Sequence, residues 1–291
     1  MSEMRFWHQS STVLNTVTKY KENIINHAKQ VLDPGTTVEP HGLPIGGRPE
    51  GANQDVMQYP YILYLTERLF CEAALTAERE GFDAMTIGCN LDIALNHCRS
   101  IVDIPVVGVT ESSMLASCLL GRKFAFITIS DFLRSYLTAS AERYGFSNRL
   151  ACVLTMDENP ENKYSIDSVA GSENNKRPPI YRFLTEDADK AEKIFLHTCE
   201  MAISLGAEVL IPGEGILNEF IFERNMTQCK GMPILDANAA LWQCATMMVN
   251  LKSKSKINMS RGFTYKKPDD QLMKQMTDFY EARSYTNTEF S

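Results

Sequence analysis

The segment Gly88-Cys89-Asn90 closes a short apolar run, Phe82-Asp-Ala-Met-Thr-Ile87, and so places a thiol at the carboxyl end of an expected buried strand. Backbone amides and a following helix start at such a turn lower a thiol's pKa, which suits it to nucleophilic or proton-transfer work. Farther along, Gly213-Glu214-Gly215 closes a second run of the same kind, Gly206-Ala-Glu-Val-Leu-Ile-Pro212. A carboxylate between two glycines fits close approach of backbone to a ligand. A thiol and a carboxylate at two matched strand ends could move a proton to or from carbon, chemistry that side chains alone can perform.

Each of these residues has a plainer reading. Cys89 could be a packed core thiol, since free cysteine behaves as a small hydrophobe, and its place directly after Ile87-Gly88 is what favours the reactive one. Glu214 could be a solvated turn residue. Gln9 and Ser10 follow the first strand, and Thr128 and Ser130 follow its counterpart in the second half. Ser and Thr at such turns cap helices, and the same positions could hold a substrate carboxylate or carbonyl. Asn90 and the two glycines Gly213 and Gly215 join them as expected substrate contacts. Glu111 is a helix-start carboxylate by default and, in the alternative, a substrate contact or an orienting group. Cys71, Cys98, Cys118 and Cys244 fall in helical stretches and read as structural, and Cys152, Cys199 and Cys229 carry no motif. Phe6, Trp7 and Phe126 read as core.

The elements that must position these groups alternate between short apolar runs and amphipathic stretches, the pattern of buried parallel strands joined by helices. The first strand is expected over Arg5–Ser10 and its helix over Leu14–Val31, stopping at Asp33-Pro34-Gly35. A helix over Tyr61–Glu80 precedes the Cys89 strand, and Pro105–Val109 is a further strand with Thr110-Glu111 at a helix start. The second half repeats this order: strand Lys123–Ile129, helix Phe132–Tyr144, strand Leu150–Thr155, helix Ala188–Leu205, the Glu214 strand, and Gly231–Asp236 in register with Asp103–Gly108. The chain therefore reads as an internal duplication of class α/β, with ligands gathering at the carboxyl ends of its strands in a cleft between the halves. The polar segment 157–179 breaks the symmetry, and its composition favours a solvated excursion over an active-site cover.

Composition narrows the rest. With 291 residues, 44% of them apolar, two linked domains are expected. A net charge of −7 argues against a nucleic-acid binder and leaves a small molecule as the expected partner. The N-terminus lacks a basic region followed by an apolar core, and no run of about 18 apolar residues occurs, so a cytoplasmic protein without membrane contact is expected. The eight cysteines form no Cys-x-x-Cys pair and read as reduced thiols, and the five histidines are scattered, so no metal site is expected. No glycine-rich nucleotide loop occurs, so no cofactor is expected either.

Taken together, Glu80-Gly-Phe-Asp-Ala-Met-Thr-Ile-Gly-Cys-Asn90, Ile104-Pro-Val-Val-Gly-Val-Thr-Glu-Ser112, Gly121-Arg-Lys-Phe-Ala-Phe-Ile-Thr128, Gly206–Gly215 and Gly231–Asp236 resemble the Asp/Glu/hydantoin racemase superfamily, in its hydantoin racemase-like branch. The resemblance implies two Rossmann-like three-layer halves with parallel sheets, related by a pseudo-twofold, with the active site in the cleft between them. It implies a crossover, with the helix after Glu111 packing on the second half and the helix after Asp236 returning to the first. The implied domains are 1–113 plus 238–291, and 114–237; a homo-oligomer is implied as well. Racemases of this family use a cysteine on each side of the substrate's α-carbon. Cys89 falls on the first position, whereas the second falls on Gly213, beside Glu214. The expected activity is a cofactor-independent racemase or epimerase acting on a small carboxylate, amino acid or hydantoin-like substrate. The alternatives are a decarboxylase, lyase or cis–trans isomerase working with the single cysteine, and a non-catalytic binding relative.

Overall fold

The computed structural model describes residues 3–44, 54–156 and 187–282; the loop from Ile45 to Gly51 and the polar segment 157–179 both lie outside the described residues. Strand β1 (Met4–Gln9) pairs in parallel with β2 (Thr36–His41) on one side and β3 (Ala84–Ile87) on the other, and β4 (Val106–Gly108) adds beyond β3. In the second sheet β5 (Phe124–Thr128) lies between β6 (Leu150–Thr155) and β7 (Val209–Pro212), again all parallel. A single parallel bridge from Leu210 to Ile234 extends this sheet where β4 extends the first. The same strand order thus occurs twice, and the fold class is α/β. Every residue of β3, β5 and β7 is buried, because helices cover both faces of such sheets. Strand β2 stands at an edge, where Pro40, paired with His8 of β1, is tolerated because one side of the strand has no neighbouring strand.

The helices are α1 (Thr18–Val31), α2 (Pro60–Arg79), α3 (Leu95–Ile101), α4 (Val109–Leu120), α5 (Asp131–Arg143), α6 (Ala188–Ser204), α7 (Gly215–Glu223), α8 (Ala237–Ser253) and α9 (Asp270–Ala282). A short antiparallel hairpin joins β8 (Gln228–Cys229) to β9 (Met232–Pro233). The helix expected over Leu14–Val31 is in fact a single 3-10 turn, Leu14–Thr16, then α1, with Val17 between them at φ −135 and ψ 57. The β-branched pair Val17-Thr18 is stiff at χ1 and a poor place to continue a helix. Val109, expected to end a strand, is instead the first residue of α4, so β4 runs into the helix without a linker. The short helices α3 and α7 span too few turns to show a clear period, and the terminal α9, although amphipathic, was not among the expected elements.

Helix α4 follows β4 but packs against β5 and β7, while α8 follows Ile234 and packs against β3 and β4. Leu241, Trp242 and Ala245 of α8 are buried against Phe6, Ala84 and Val107 of the first sheet. A second apolar cluster runs from Met85 and Ile87 through Met114 to Phe124, Phe126, Val209 and Ile211, so one core spans both sheets. Each large side chain buried in this way stabilises the fold by about 1.5–3 kcal/mol. Phe6, Trp7 and Phe126 are all in the core, and all eight cysteines are unbridged. Among the described residues no helix is long and apolar enough to cross a membrane.

Candidate active site

The carboxyl ends of β3 and β7 carry the two turns singled out by the sequence. Gly88 donates its amide to the Gln9 carbonyl at 2.9 Å, which ties the end of β3 to β1. A Cβ on Gly88 would lie 2.2 Å from His8 Nε2, so glycine alone lets the strand pass the buried imidazole. Trp242 Nε1 donates to His8 Nδ1 at 3.2 Å, and an indole N–H can only donate. Burial, with help from the nearby His27 and His41, holds the His8 pKa down to about 3, so the ring is neutral.

In the second sheet Gly213 donates to the Ile127 carbonyl at 2.7 Å, the counterpart of the Gly88 contact. A Cβ on Gly215 would lie 2.6 Å from the Tyr20 hydroxyl and 3.5 Å from the Gly88 carbonyl. The turn bearing Glu214 is thus directly against the turn bearing Cys89. Both Cys89 and Glu214 are half-buried.

Two further residues, Asn90 just beyond β3 and Thr128 at the end of β5, hold unused hydrogen-bonding groups. Asn90 is buried and its Nδ2 has no partner, while its carbonyl accepts from Thr110 Oγ1 at 2.8 Å. Thr128 is fully buried and its Oγ1 also has no partner. An unsatisfied buried polar group costs about 1–3 kcal/mol, so each is a group whose cost a ligand would offset. Ser10 is buried nearby, its Oγ accepting from the Thr12 amide at 3.2 Å.

Three expected substrate contacts have side chains committed elsewhere. Gln9 accepts from Trp7 Nε1 at 2.9 Å and donates to the Ser10 carbonyl at 3.0 Å, which fixes the loop after β1. Ser130 caps α5 by accepting from the Leu133 amide at 3.4 Å. Glu111 receives both terminal nitrogens of Arg99, at 3.1 and 2.5 Å, and Arg99 also donates to Tyr265 Oη at 3.2 Å. Its carboxylate therefore braces α4 against α3 and the segment around Tyr265. A ligand-facing Glu111 would leave the Arg99 charge, only 13% exposed, without its partner.

Sequence reasoning missed Tyr20, Tyr136, Tyr144, Asp92 and His27. Tyr20 brings its hydroxyl to Gly215, and Tyr136 Oη donates to the Leu91 carbonyl at 2.8 Å. Tyr144 Oη donates to Asp92 Oδ2 at 2.8 Å. Asp92 itself, three residues beyond Cys89, was the one with a visible signal: an acid in the turn leaving the thiol. On the far side of α7, His27 of α1 lies between Glu219 Oε1 at 2.8 Å and Asp236 Oδ2 at 2.6 Å, stacked on Phe222. Burial by itself would lower the His27 pKa, but the hydrogen bonds and charges of the two carboxylates outweigh it and raise it to about 9. His27 is therefore a cation that bridges α1, α7 and the start of α8.

The Asp/Glu/Hydantoin racemase family model matches residues 14–245, which take in both turns and every strand except β1. This chain belongs to that family. It is 28% identical over 209 residues to a hydantoin racemase of Pseudomonas sp. (strain NS671), covering 72% of this chain and 74% of that one. It is 24% identical over 262 residues to a hydantoin racemase of Paenarthrobacter aurescens, covering 88% and 95%. Among solved structures, an allantoin racemase from Pseudomonas fluorescens has the same fold, with a TM-score of 0.68 at 21% identity, covering 91% of this chain and 97% of that one. As a member of this racemase family the protein is an isomerase by class.

Within this racemase, glycine at position 213 has a steric reason. A Cβ there would lie 3.0 Å from Thr128 Cβ, 3.1 Å from the Ile127 carbonyl and 3.1 Å from Leu137 Cδ1. Because those neighbours belong to a packed strand and helix, Gly213→Cys is expected to destabilise the protein by about 1–3 kcal/mol. Urea denaturation of the purified variant reads this directly; an unchanged midpoint would show that the site yields freely.

Proposed function

We propose that this racemase inverts the acidic carbon of a small hydantoin-like, ureide or amino-acid substrate without a cofactor, with Cys89 and Glu214 exchanging protons on opposite faces. The observation that carries this reading is the 3.5 Å approach of the Gly215 Cβ position to the Gly88 carbonyl, which makes the Cys89 and Glu214 turns neighbours. The kinship to hydantoin racemases supports the substrate class. In one direction the Cys89 thiolate takes the α-proton, an enolate forms, and the Glu214 carboxyl group returns a proton from the other side. In the other direction the roles reverse, and either group re-equilibrates with solvent between turnovers. Asn90 Nδ2 and Thr128 Oγ1, both lacking partners, would donate to the substrate oxygen on which negative charge develops.

The absence of a second thiol at Gly213 favours one alternative on the same scaffold, a decarboxylase or cis–trans isomerase in which Cys89 protonates a carbanion or adds to a double bond. Deuterium oxide separates the two. Incubating single enantiomers of 5-benzylhydantoin and allantoin with the enzyme in deuterium oxide is expected to give label at the stereocentre of both recovered enantiomers. One labelled product with release of carbon dioxide from a malonate probe would assign a lyase instead. No exchange in any probe would leave a binding protein and end the catalytic reading.

A further inference from the structure

The turn that carries Cys89 is built around one buried carboxylate. Asp92 has φ +44 and Ala94 has φ +55, both in the left-handed region that residues with a side chain avoid. Such conformations cost about 1–3 kcal/mol each and persist only where the surroundings impose them. Here the surroundings are explicit. The Asp92 amide donates to the Cys89 carbonyl at 2.8 Å, closing the turn. Asp92 Oδ1 accepts from the Thr110 amide at 3.0 Å and Oδ2 from the Glu111 amide at 2.9 Å, donors at the start of α4 that have no partner within the helix. A Cβ on Gly108 would lie 2.5 Å from Asp92 Oδ1, so the end of β4 is shaped to admit this carboxylate.

The second half of the molecule holds the same turn. Tyr144, just past the end of α5, donates to Asp92 Oδ2 at 2.8 Å, and Tyr136 on α5 donates to the Leu91 carbonyl at 2.8 Å. Arg143 lies over both rings, at 5.4 Å from the Tyr136 centroid and 4.9 Å from that of Tyr144. The stretch from Cys89 to Asp92 is therefore clamped between α4, which follows the first sheet, and α5, which follows β5 of the second.

We propose that Asp92 and Tyr144 are positioning residues for the Cys89 thiol, locking the turn from Cys89 to Asp92 to α4 and α5 so that the thiol's aim is set by the seating of the second half. This rests on the proposed role of Cys89. Neither residue contacts substrate; each acts by fixing the backbone from which the thiol projects. A displacement on the order of 1 Å at a reacting group costs about a hundredfold in rate, so loosening this clamp would be read in turnover before binding.

The test compares Asp92→Asn and Tyr144→Phe with the parent enzyme in racemisation of 5-benzylhydantoin and in alkylation of Cys89 by iodoacetamide at pH 7, located by peptide mass spectrometry. Tyr144→Phe is expected to lower kcat about tenfold and Asp92→Asn about a hundredfold, with KM changed less than about twofold. Both are expected to change the Cys89 alkylation rate at least about threefold, since reactivity follows the thiol's immediate surroundings. Folded variants whose kcat and alkylation rate match the parent would overturn the proposal, even if their melting temperature fell, because the clamp would then be structural only. Should Asp92→Asn fail to fold, Tyr144→Phe, which keeps the ring and removes one hydroxyl, decides alone. Cys89→Ser distinguishes the two levels of failure. If it retains turnover, the role of Cys89 is wrong and the alkylation rates alone judge the clamp; if it is inactive while both variants match the parent, only the clamp is wrong.

Discussion

Cys89→Ser is expected to lower kcat for racemisation by about a thousandfold or more, with the fold intact. Positioned proton transfer contributes on the order of a hundred- to ten-thousandfold, and a serine hydroxyl is far too weak an acid to replace a thiol in it. Cys89 is only half-buried and serine is close in shape, so the melting temperature should move by only a few degrees while activity collapses. Circular dichroism paired with chiral chromatography of the product measures both. Retention of more than about a tenth of the parent rate would remove the thiol from the mechanism and leave Glu214 or a water to account for it.

The largest expected effect on stability is at His27. Its imidazolium lies between Glu219 and Asp236, with side-chain exposures of 0% for the histidine and 3% for Glu219. His27→Ala would leave two neighbouring carboxylates facing each other, and breaking a buried pair by removing one partner costs about 3–5 kcal/mol. The pH dependence follows from the signs. His27 is raised from 6.5 to about 9 in the folded protein, so its contribution is complete below pH 6.5 and lost as pH rises through about 9. Asp236 is shifted the other way: burial opposes its charge, but His27 and the Ala239 amide prevail and lower its pKa. Its contribution is present at neutral pH and lost as acid protonates it. Unfolding free energies from denaturant titrations between pH 6 and 10 should therefore fall on the alkaline side by about 3 kcal/mol in the parent and stay nearly flat in His27→Gln. An alkaline loss of equal size in both would place its origin elsewhere.

How much of this was legible in the sequence follows from what kind of signal each feature leaves. β3, β5 and β7 are mostly apolar runs, because both faces of a parallel strand are buried, and β3 and β7 end directly at Gly88 and Gly213, which located both turns. The repeat in their order disclosed the duplication. Asn90 and Thr128 could be named because they end strands. What no periodicity encodes is the partner of a helix's side. His27 and Tyr144 look like ordinary polar-face or terminal helix residues, and nothing in their spacing says that one meets Glu219 and the other Asp92. Glu111 leaves no such trace either: its position shows a carboxylate at a helix start, and only the fold reveals Arg99 beside it. Val109 was assigned to the wrong element because a strand that passes directly into a helix leaves no turn residue to mark the change.

The exchange of α4 and α8 has a bearing on the protein's origin. Each sheet completes its cover with a helix that the chain has just carried across from the other, so half of this molecule on its own would lack a wall and expose the apolar residues beneath it. A free-standing ancestor of one half could have buried those residues only by lending its helix to a second copy and borrowing one in return. The present chain has the architecture of such a swapped pair fused end to end.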